Sequence, residues 1–300
     1  MSRKFKIYWE FMRPFTLLAP TVGFISGGLI AIGASSRVVL TFAYICPIIL
    51  GALSAAFLNG ASNIVNQYYD ISIDRINKPN RPLPSGRISL KESRLFSILL
   101  YSFSFFLAYL VPNKQFIIIV LMTALITFAY SAPPFRTKRW AIAANLTIAI
   151  PRGCLLIVAG WTAVRSFFNF EPWFIGSIFA LYLLGAASTK DFSDIKGDKM
   201  FGCNTLPIIL GAKKAAIAIA PFFVLPFLLI PYGKINGILT GSPMILYPLT
   251  VILAVWGSYT AYLVLRKPEE LTLETNHISW KHMYLMLLVG QIGFALAYIV

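Results

Sequence analysis

Two groups of aspartates are the clearest sign of chemistry in this apolar sequence. Five of the 11 acidic residues belong to them: Asp70 and Asp74, preceded by Asn66, and then Asp191, Asp194 and Asp198. The spacings i, i+4, i+8 and i, i+3, i+7 place each group on one face of a helix. Crowded carboxylates are costly at low dielectric unless a cation neutralises them. Oxygen ligands of this kind suit Mg²⁺ and a phosphate-bearing substrate.

A simpler interpretation is that these are solvated carboxylates at helix ends, paired with nearby Lys and Arg. That interpretation is favoured for any one aspartate taken alone. Two groups at helical spacing, on the same side of a membrane, favour the metal site instead.

Basic side chains near the acids are candidates for binding phosphate. Arg grips phosphate oxygens bidentately and Lys acts as a point charge, although each of these residues also serves as a determinant of membrane topology. The candidates are Lys78, Arg81, Arg136, Lys138 and Lys190. Arg152 differs because it falls inside an apolar segment, where an ionisable residue is a functional candidate. It is expected to bind a substrate anion or to pair with one of the aspartates.

Aromatic residues beside the acids have two interpretations. The sequence has 24 Phe and 14 Tyr, which lipid contact and interfacial belts explain. Tyr68, Tyr69 and Tyr130 lie near the acids at predicted helix ends, where their ring faces could shield a carbocation.

Composition identifies the environment that positions these residues. The chain has 300 residues, 58% hydrophobic and 12% charged, with a mean hydropathy of +0.74. These values indicate a membrane protein. Apolar segments long enough to cross a bilayer predict helices rather than barrel strands. We predict an all-α integral membrane fold of about nine spans around a central cavity open to the cytoplasmic side, with spans near 15–34, 38–63, 95–111, 116–130, 140–161, 173–188, 215–230, 244–265 and 283–300.

Charge distribution predicts the orientation. With the N-terminus inside, 21 of the 26 Lys and Arg residues lie on the inner side, as the positive-inside rule requires. Four lie outside: Arg37, Lys114, Arg165 and Lys234. The N-terminus and both aspartate groups are therefore expected to be cytoplasmic, in a multi-pass protein of the plasma membrane. The net charge of +15 is then a topological signal and an attraction to anionic membrane lipids, which leaves no need for nucleic acid.

Other features add little chemistry. Without a hydrophilic linker, residues 1–300 are predicted to form a single domain, and the first span is expected to stay attached rather than be cleaved. The three cysteines lack paired spacing and suggest small buried hydrophobes. His277 and His282 are five residues apart, which disfavours a shared metal. No obligate protein partner is evident.

Two motifs resemble those of a known family. The run NQYYDISID from Asn66 to Asp74, continued as NKPNRPLPSG to Gly86, resembles the first signature of UbiA-type intramembrane prenyltransferases. The run KDFSDIKGD from Lys190 to Asp198, extended through Leu206-Pro207, resembles the second. The Arg13-Pro14 pair, the YSAPPFRTK loop from Tyr130 to Lys138 and the nine spans also agree with that family. The resemblance covers nearly the whole chain.

This resemblance implies transfer of a polyprenyl group, most simply geranylgeranyl, from its diphosphate to a lipid-soluble acceptor. Two Mg²⁺ ions bridging the diphosphate are implied, with Asn66, Asp70, Asp74, Asp191, Asp194 and Asp198 as ligands and the five aspartates as catalytic groups. Metal and basic side chains would stabilise the departing pyrophosphate. An allylic cation would form in an apolar cavity. Asp191 is left between two roles, metal ligand and base for the acceptor.

One departure from the family pattern concerns the acceptor. In members that prenylate hydroxybenzoate, an arginine stands seven residues before the first motif's asparagine, and here that position is Asn59. Asn59 and Asn63 are included among the expected substrate-binding residues. The runs NKPNRPLPSGRIS and DIKGD resemble the ether-lipid branch, which uses geranylgeranylglyceryl phosphate, and the chlorophyll- and homogentisate-type branch. A membrane transporter with an acidic cation site is the alternative from another class.

Overall fold

The computed structural model describes residues 3–34, 41–273 and 277–300. In these ranges eight helices are long and apolar enough to cross a membrane, and a ninth apolar helix, Gln115–Ser131, is 17 residues long. The predicted all-α membrane fold is confirmed, with the count of nine approximate. The eight longer segments are Phe15–Gly33, Phe42–Tyr69, Leu90–Leu110, Ala141–Thr162, Glu171–Ser188, Ala212–Ile235, Pro243–Arg266 and Ile278–Ile299.

Sixteen α-helical pieces occur along the described chain. In order they are α1 Arg3–Met12, α2 Phe15–Gly33, α3 Phe42–Tyr69, α4 Ile71–Asn77, α5 Leu90–Leu110, α6 Gln115–Ser131, α7 Ala141–Ala149, α8 Leu156–Thr162, α9 Glu171–Ser188, α10 Lys190–Met200, α11 Leu206–Leu210, α12 Ala212–Ile219, α13 Leu229–Ile235, α14 Pro243–Arg266, α15 Glu270–Leu273 and α16 Ile278–Ile299.

Two of the predicted spans are not continuous α-helices. The fifth consists of α7 and α8 joined by a π-helical segment, Ile150–Leu155, which contains Pro151 and Arg152. The seventh consists of α12 and α13 joined by 3₁₀ turns that contain Pro221 and Pro226. Proline lacks a backbone N–H, so it removes a helical hydrogen bond. Hydropathy measures apolar character and not backbone hydrogen bonding, so the apolar runs predicted uninterrupted helices.

The second span extends further than its apolar run. It was predicted to end near Asn63, but α3 continues to Tyr69. The side chains of Asn63 and Gln67 are buried and donate hydrogen bonds to backbone carbonyls of the α1–α2 junction. Because these amides have partners inside the protein, polar residues continue the helix. The predicted start, residues 38–40, lies outside the described residues.

Helix α2 lies at the centre of the fold and packs against α3, α8 and α16. Its crossing with α8 is close because both helices have glycine at the contact. A Cβ atom added at Gly160 would overlap the carbonyl oxygen of Phe24, and one added at Gly27 would overlap that of Ile157. Small residues allow helix backbones to approach in a membrane protein.

An apolar cavity lies beside this crossing, between α2, α3, α6 and the π-helical segment. Apolar residues such as Phe24, Leu58 and Val120 line most of it, whereas Asn59 and Arg152 add polar groups. Asn59 stands about three helical turns before Asp70 on α3, so the cavity lies within the helical bundle, apart from the first aspartate motif.

Candidate active site

The first aspartate motif lies at a kink between α3 and α4. Asp70 is the residue between the two helices, with φ −100° and ψ 12°. The backbone bonds from Asp70 to Asn66 and from Asp74 to Asp70 keep the helical register through the kink. The sequence predicted a continuing helix. The structure departs from that at one residue and still buries Asp70 and Asp74 together.

Three side chains hold Asp70. Its Oδ2 accepts hydrogen bonds from Asn66 Nδ2 at 2.7 Å and from Lys138 Nζ at 2.7 Å, and Oδ1 accepts one from Arg136 Nη2 at 3.2 Å. A neighbouring pair joins Arg81 Nη1 to Asp74 Oδ2 at 2.7 Å. Burial raises the pKa of Asp74, and the charge of Arg81 opposes that rise. Three of the five predicted basic residues, Arg81, Arg136 and Lys138, therefore contact the first motif.

The second motif lies on α10, directly after α9. Asp191 and Asp198 are buried, and Lys78 Nζ donates to both carboxylate oxygens of Asp194, at 2.7 and 2.6 Å. Lys190 Nζ lies 3.6 Å from Asp191 Oδ1. Burial raises the pKa of Asp191 to about 6, with Lys190 acting in the opposite direction and Asp198 adding to the rise. Burial likewise raises the pKa of Asp198.

Lys138 joins the two motifs. Its ammonium lies 2.7 Å from Asp70 Oδ2 and 3.9 Å from Asp198 Oδ1. Burial alone would lower the pKa of Lys138, but Asp70, Tyr130 and Asp198 together outweigh burial and raise it. The α6–α7 loop presents this lysine: Arg136 has a left-handed backbone with φ 38°, and Arg139 O accepts a bond from Asn204 N at 2.8 Å.

A second connection ties the motifs through their backbones. Asn77, the last residue of α4, donates from Nδ2 to Asp194 O at 3.0 Å and accepts from Gly197 N at Oδ1 at 2.9 Å. A Cβ atom at Gly197 would lie 2.6 Å from the Asn77 amide, so a larger residue there would displace the Asn77 side chain. No spacing in the sequence marks Asn77 as a functional residue, because its partners are 117 and 120 residues away.

The predicted tyrosines occupy different positions. The Tyr130 hydroxyl accepts a hydrogen bond from Lys190 Nζ at 2.9 Å, which links α6 to the second motif. Tyr69 packs edge-on against both Tyr68 and Phe128. The shielding of a carbocation by these rings stays a prediction.

The side chains of Asn59 and Asn63 connect α3 to the α1–α2 junction. Their Nδ2 atoms donate to the α1–α2 junction, Asn59 to Thr16 O at 2.9 Å and Asn63 to Met12 O at 3.0 Å. The Oδ1 atom of Asn59 faces Arg152 Nη2 at 3.4 Å. Asn59 and Arg152 line the cavity, whereas Asn63 is buried. Their predicted contact with substrate stays a prediction.

The predicted metal ligands agree with Mg²⁺ in chemistry. All six offer oxygen donors, the type that Mg²⁺ prefers. Within the described part of the chain, no three Asp, Glu, His or Cys side chains are already gathered closely enough to hold an ion. Each aspartate of the two motifs is instead neutralised by Lys or Arg. The ligand set fits the ion by its donors and stays a prediction as a geometry.

The class of protein follows from this arrangement: a polytopic helical membrane protein with paired aspartate motifs at one end of a bundle that contains an apolar cavity. The family model described as the UbiA prenyltransferase family matches residues 24–281. The chain therefore belongs to the UbiA prenyltransferase family, as its motifs predicted. It is an enzyme, an intramembrane prenyltransferase.

Curated relatives and solved structures agree with this assignment. The chain is 32% identical over 96% of its length to digeranylgeranylglyceryl phosphate synthase of Methanosphaera stadtmanae, covering 98% of that protein. It is 31% identical to the protein of that name from Methanobrevibacter smithii, with 96% of each chain covered. A UbiA homologue from Archaeoglobus fulgidus, solved with GPP and Mg²⁺, matches its fold with a TM-score of 0.74 at 20% identity, over 98% of this chain and 99% of that one.

We expect Asn77→Ala to lower kcat/KM for prenyl transfer by about 10²-fold, because small displacements of reacting groups have effects of that size. The loss of two hydrogen bonds should reduce the free energy of unfolding by only about 1–3 kcal/mol. Steady-state kinetics and thermal melting measure the two effects. Gly197→Ala should reproduce the kinetic loss, and Asn80→Ala, at an exposed position, serves as the control. Unchanged kinetics in both Asn77→Ala and Gly197→Ala would contradict this role.

Proposed function

We propose that this enzyme transfers a geranylgeranyl group from its diphosphate to a geranylgeranylglyceryl phosphate lipid, with Mg²⁺ and with release of pyrophosphate. The observation that carries the proposal is that Lys138 joins the two aspartate motifs at one end of a helical bundle that also contains an apolar cavity. The names of the relatives in two organisms support this acceptor. A chlorophyll- or quinone-type ring is the second candidate acceptor.

The two motifs would hold the diphosphate end of the donor. Asn66, Asp70, Asp74, Asp194 and Asp198 are the proposed ligands of two Mg²⁺ ions, which when bound neutralise the diphosphate and stabilise negative charge on the leaving group. Lys78, Arg81, Arg136, Lys138 and Lys190 would add charge-assisted hydrogen bonds to phosphate oxygens, since each already donates to, or lies near, an oxygen at this end.

The prenyl chain would occupy the apolar cavity. When the C–O bond breaks, its electron pair leaves with pyrophosphate and an allylic cation remains. Residues such as Phe24, Leu58 and Val120 line the cavity and exclude water, which would otherwise capture the cation. The acceptor hydroxyl forms the new C–O bond and gives up its proton. Asp191 has two candidate roles: it accepts that proton, for which a pKa of about 6 is suitable, or it is a further metal ligand.

Orientation is part of the proposal. The α1–α2 junction, both motifs and the α6–α7 loop come together at one end of the bundle, and they carry many of the Lys and Arg residues. We place this end in the cytoplasm and the protein in the plasma membrane. No nucleic acid or obligate protein partner enters the proposal.

An acceptor panel tests the proposal. Purified enzyme in liposomes receives Mg²⁺, labelled geranylgeranyl diphosphate and one acceptor at a time: geranylgeranylglyceryl phosphate, homogentisate, chlorophyllide or hydroxybenzoate. We expect pyrophosphate release and a product of matching mass with the glyceryl phosphate. Product with another acceptor and none with the glyceryl phosphate would reject this acceptor. Hydroxybenzoate as a good acceptor would also contradict our interpretation of Asn59.

A further inference from the structure

Arg13 lies in an unusual backbone conformation beside the aspartate motifs. It connects α1 to α2 with φ 58°, in the left-handed region that residues other than glycine rarely adopt. Strained conformations of this kind persist when surrounding contacts enforce them, and they occur often at functional sites. The contacts around Arg13 are therefore informative.

A row of three amides on α3 enforces this conformation. The side chains of Asn59, Asn63 and Gln67 are spaced by four residues and lie on one face of the helix. Each donates from its side-chain nitrogen to a backbone carbonyl close to Arg13, at 2.9, 3.0 and 2.9 Å; the acceptors are Thr16, Met12 and Phe11. Asn63 also donates to Thr16 Oγ1 at 2.8 Å. The row fixes the chain on both sides of Arg13.

The guanidinium of Arg13 lies among charges of both signs. Asp74 and Asp194 attract it, whereas Arg81 and Arg152 repel it. Burial, together with the charges of Arg81 and Arg152, lowers the pKa of Arg13 to about 10. Arg13 therefore remains protonated at neutral pH, close to two other arginines.

Two guanidiniums near the aspartate motifs, those of Arg13 and Arg152, have no carboxylate partner among the described residues. Among the described residues, each of the five motif aspartates has a Lys or Arg nitrogen within 4.0 Å, through Lys78, Arg81, Arg136, Lys138 and Lys190. Within the same part of the chain, neither Arg13 nor Arg152 forms an ion pair with a carboxylate. The polar contact of Arg152 is the uncharged Asn59 Oδ1. Two partly buried positive charges without a carboxylate partner call for an anion.

We propose that Arg13 and Arg152 bind the phosphate group of the acceptor lipid, which separates an acceptor-phosphate site from the diphosphate site at the aspartates. Two guanidiniums offer bidentate hydrogen bonds to a phosphate dianion. Asn59 connects the two residues, because it bonds both to the α1–α2 junction and to Arg152. The inference rests on the proposed function, since it assumes an acceptor that carries a phosphate.

Steady-state kinetics of Arg13→Gln test the site. With geranylgeranylglyceryl phosphate as acceptor, we expect the acceptor KM to rise by about 10- to 100-fold, the range that corresponds to loss of hydrogen bonds to a charged group, while the KM for geranylgeranyl diphosphate stays within about twofold. Arg13→Lys keeps the positive charge but loses the bidentate geometry of the guanidinium, so the rise in its acceptor KM should be intermediate. Arg75→Gln is the matched control, because Arg75 is exposed and lies next to Asp74 in sequence.

Geranylgeranylglycerol, the acceptor without its phosphate, provides the second measurement. The wild type should prefer the phosphorylated acceptor by about 10-fold or more, and Arg13→Gln should lose that preference. A rise in the diphosphate KM alone, or an undiminished preference in both Arg13 variants, would overturn the inference and leave the proposed function intact. A wild type that makes no product with the glyceryl phosphate overturns the proposed function and this inference with it. If Arg13→Gln fails to fold, Arg13→Lys and the wild-type preference decide.

Discussion

Asp70→Asn should lower kcat for prenyl transfer by about 10²- to 10³-fold, the size of effect seen when one electrostatic contact to a developing charge is removed. The substitution keeps the shape of the side chain and removes its charge. Asp70 is buried and receives hydrogen bonds from Asn66, Arg136 and Lys138. A neutral amide cannot accept all three bonds or serve as an equal ligand for Mg²⁺.

The measurement is single-turnover transfer from labelled geranylgeranyl diphosphate across a Mg²⁺ titration. The variant should need more Mg²⁺ for its residual activity, which separates a role in metal binding from a loss of folded protein. Glu10→Gln is the control, since Glu10 is an exposed acid whose partner is Arg87. Undiminished transfer in Asp70→Asn, with an unchanged Mg²⁺ requirement, would remove Asp70 from the proposed ligands.

Lys138→Gln should destabilise the metal-free protein by about 3–5 kcal/mol, because removing one partner leaves buried carboxylates without compensation. Lys138 is 7% exposed, and its ammonium serves Asp70 and Asp198 together. Mg²⁺ held by the proposed ligands would bind the folded state and supply the missing positive charge. It should therefore raise the melting temperature of Lys138→Gln by more than it raises that of the wild type.

Thermal melting with and without Mg²⁺ measures both the loss of stability in Lys138→Gln and the rise in melting temperature that Mg²⁺ produces. Arg139→Gln, at an exposed position next in sequence, is the matched control and should melt like the wild type under both conditions. A Lys138→Gln protein that melts as the wild type does, with the same response to Mg²⁺, would show that this lysine does not hold the two motifs together.

Most of the membrane-spanning helices could be predicted from local sequence. Long apolar runs predicted the spans because unsatisfied backbone groups are costly in lipid, and eight of the nine predicted segments correspond to helices of spanning length. The break at Pro221 and Pro226 and the π-helical segment around Arg152 were missed. Hydropathy averages over a window and does not register which individual backbone bonds are lost.

Part of the candidate site was likewise predictable from local sequence, and part was not. The spacing of Asp70 and Asp74, and of Asp191, Asp194 and Asp198, predicted two acidic faces, and the structure brings both motifs to one end of the bundle. The contacts that join them were not predictable. Lys78 meets Asp194 across 116 residues and Lys138 meets Asp70 across 68. The Arg13-Pro14 pair matches a family pattern, but nothing in the sequence indicates which charges surround Arg13.

By itself, the sequence determined the environment and the chemical groups: a helical membrane protein with two acidic motifs, because hydropathy and helical periodicity depend on neighbours a few residues apart. The tertiary structure decided which charge faces which. It placed Lys138 between the motifs and brought Asn77 into hydrogen-bond contact with Gly197. It also left Arg13 and Arg152 without carboxylate partners among the described residues. Those relations depend on how the helices pack over separations of 50 to 120 residues, and no local periodicity carries that information.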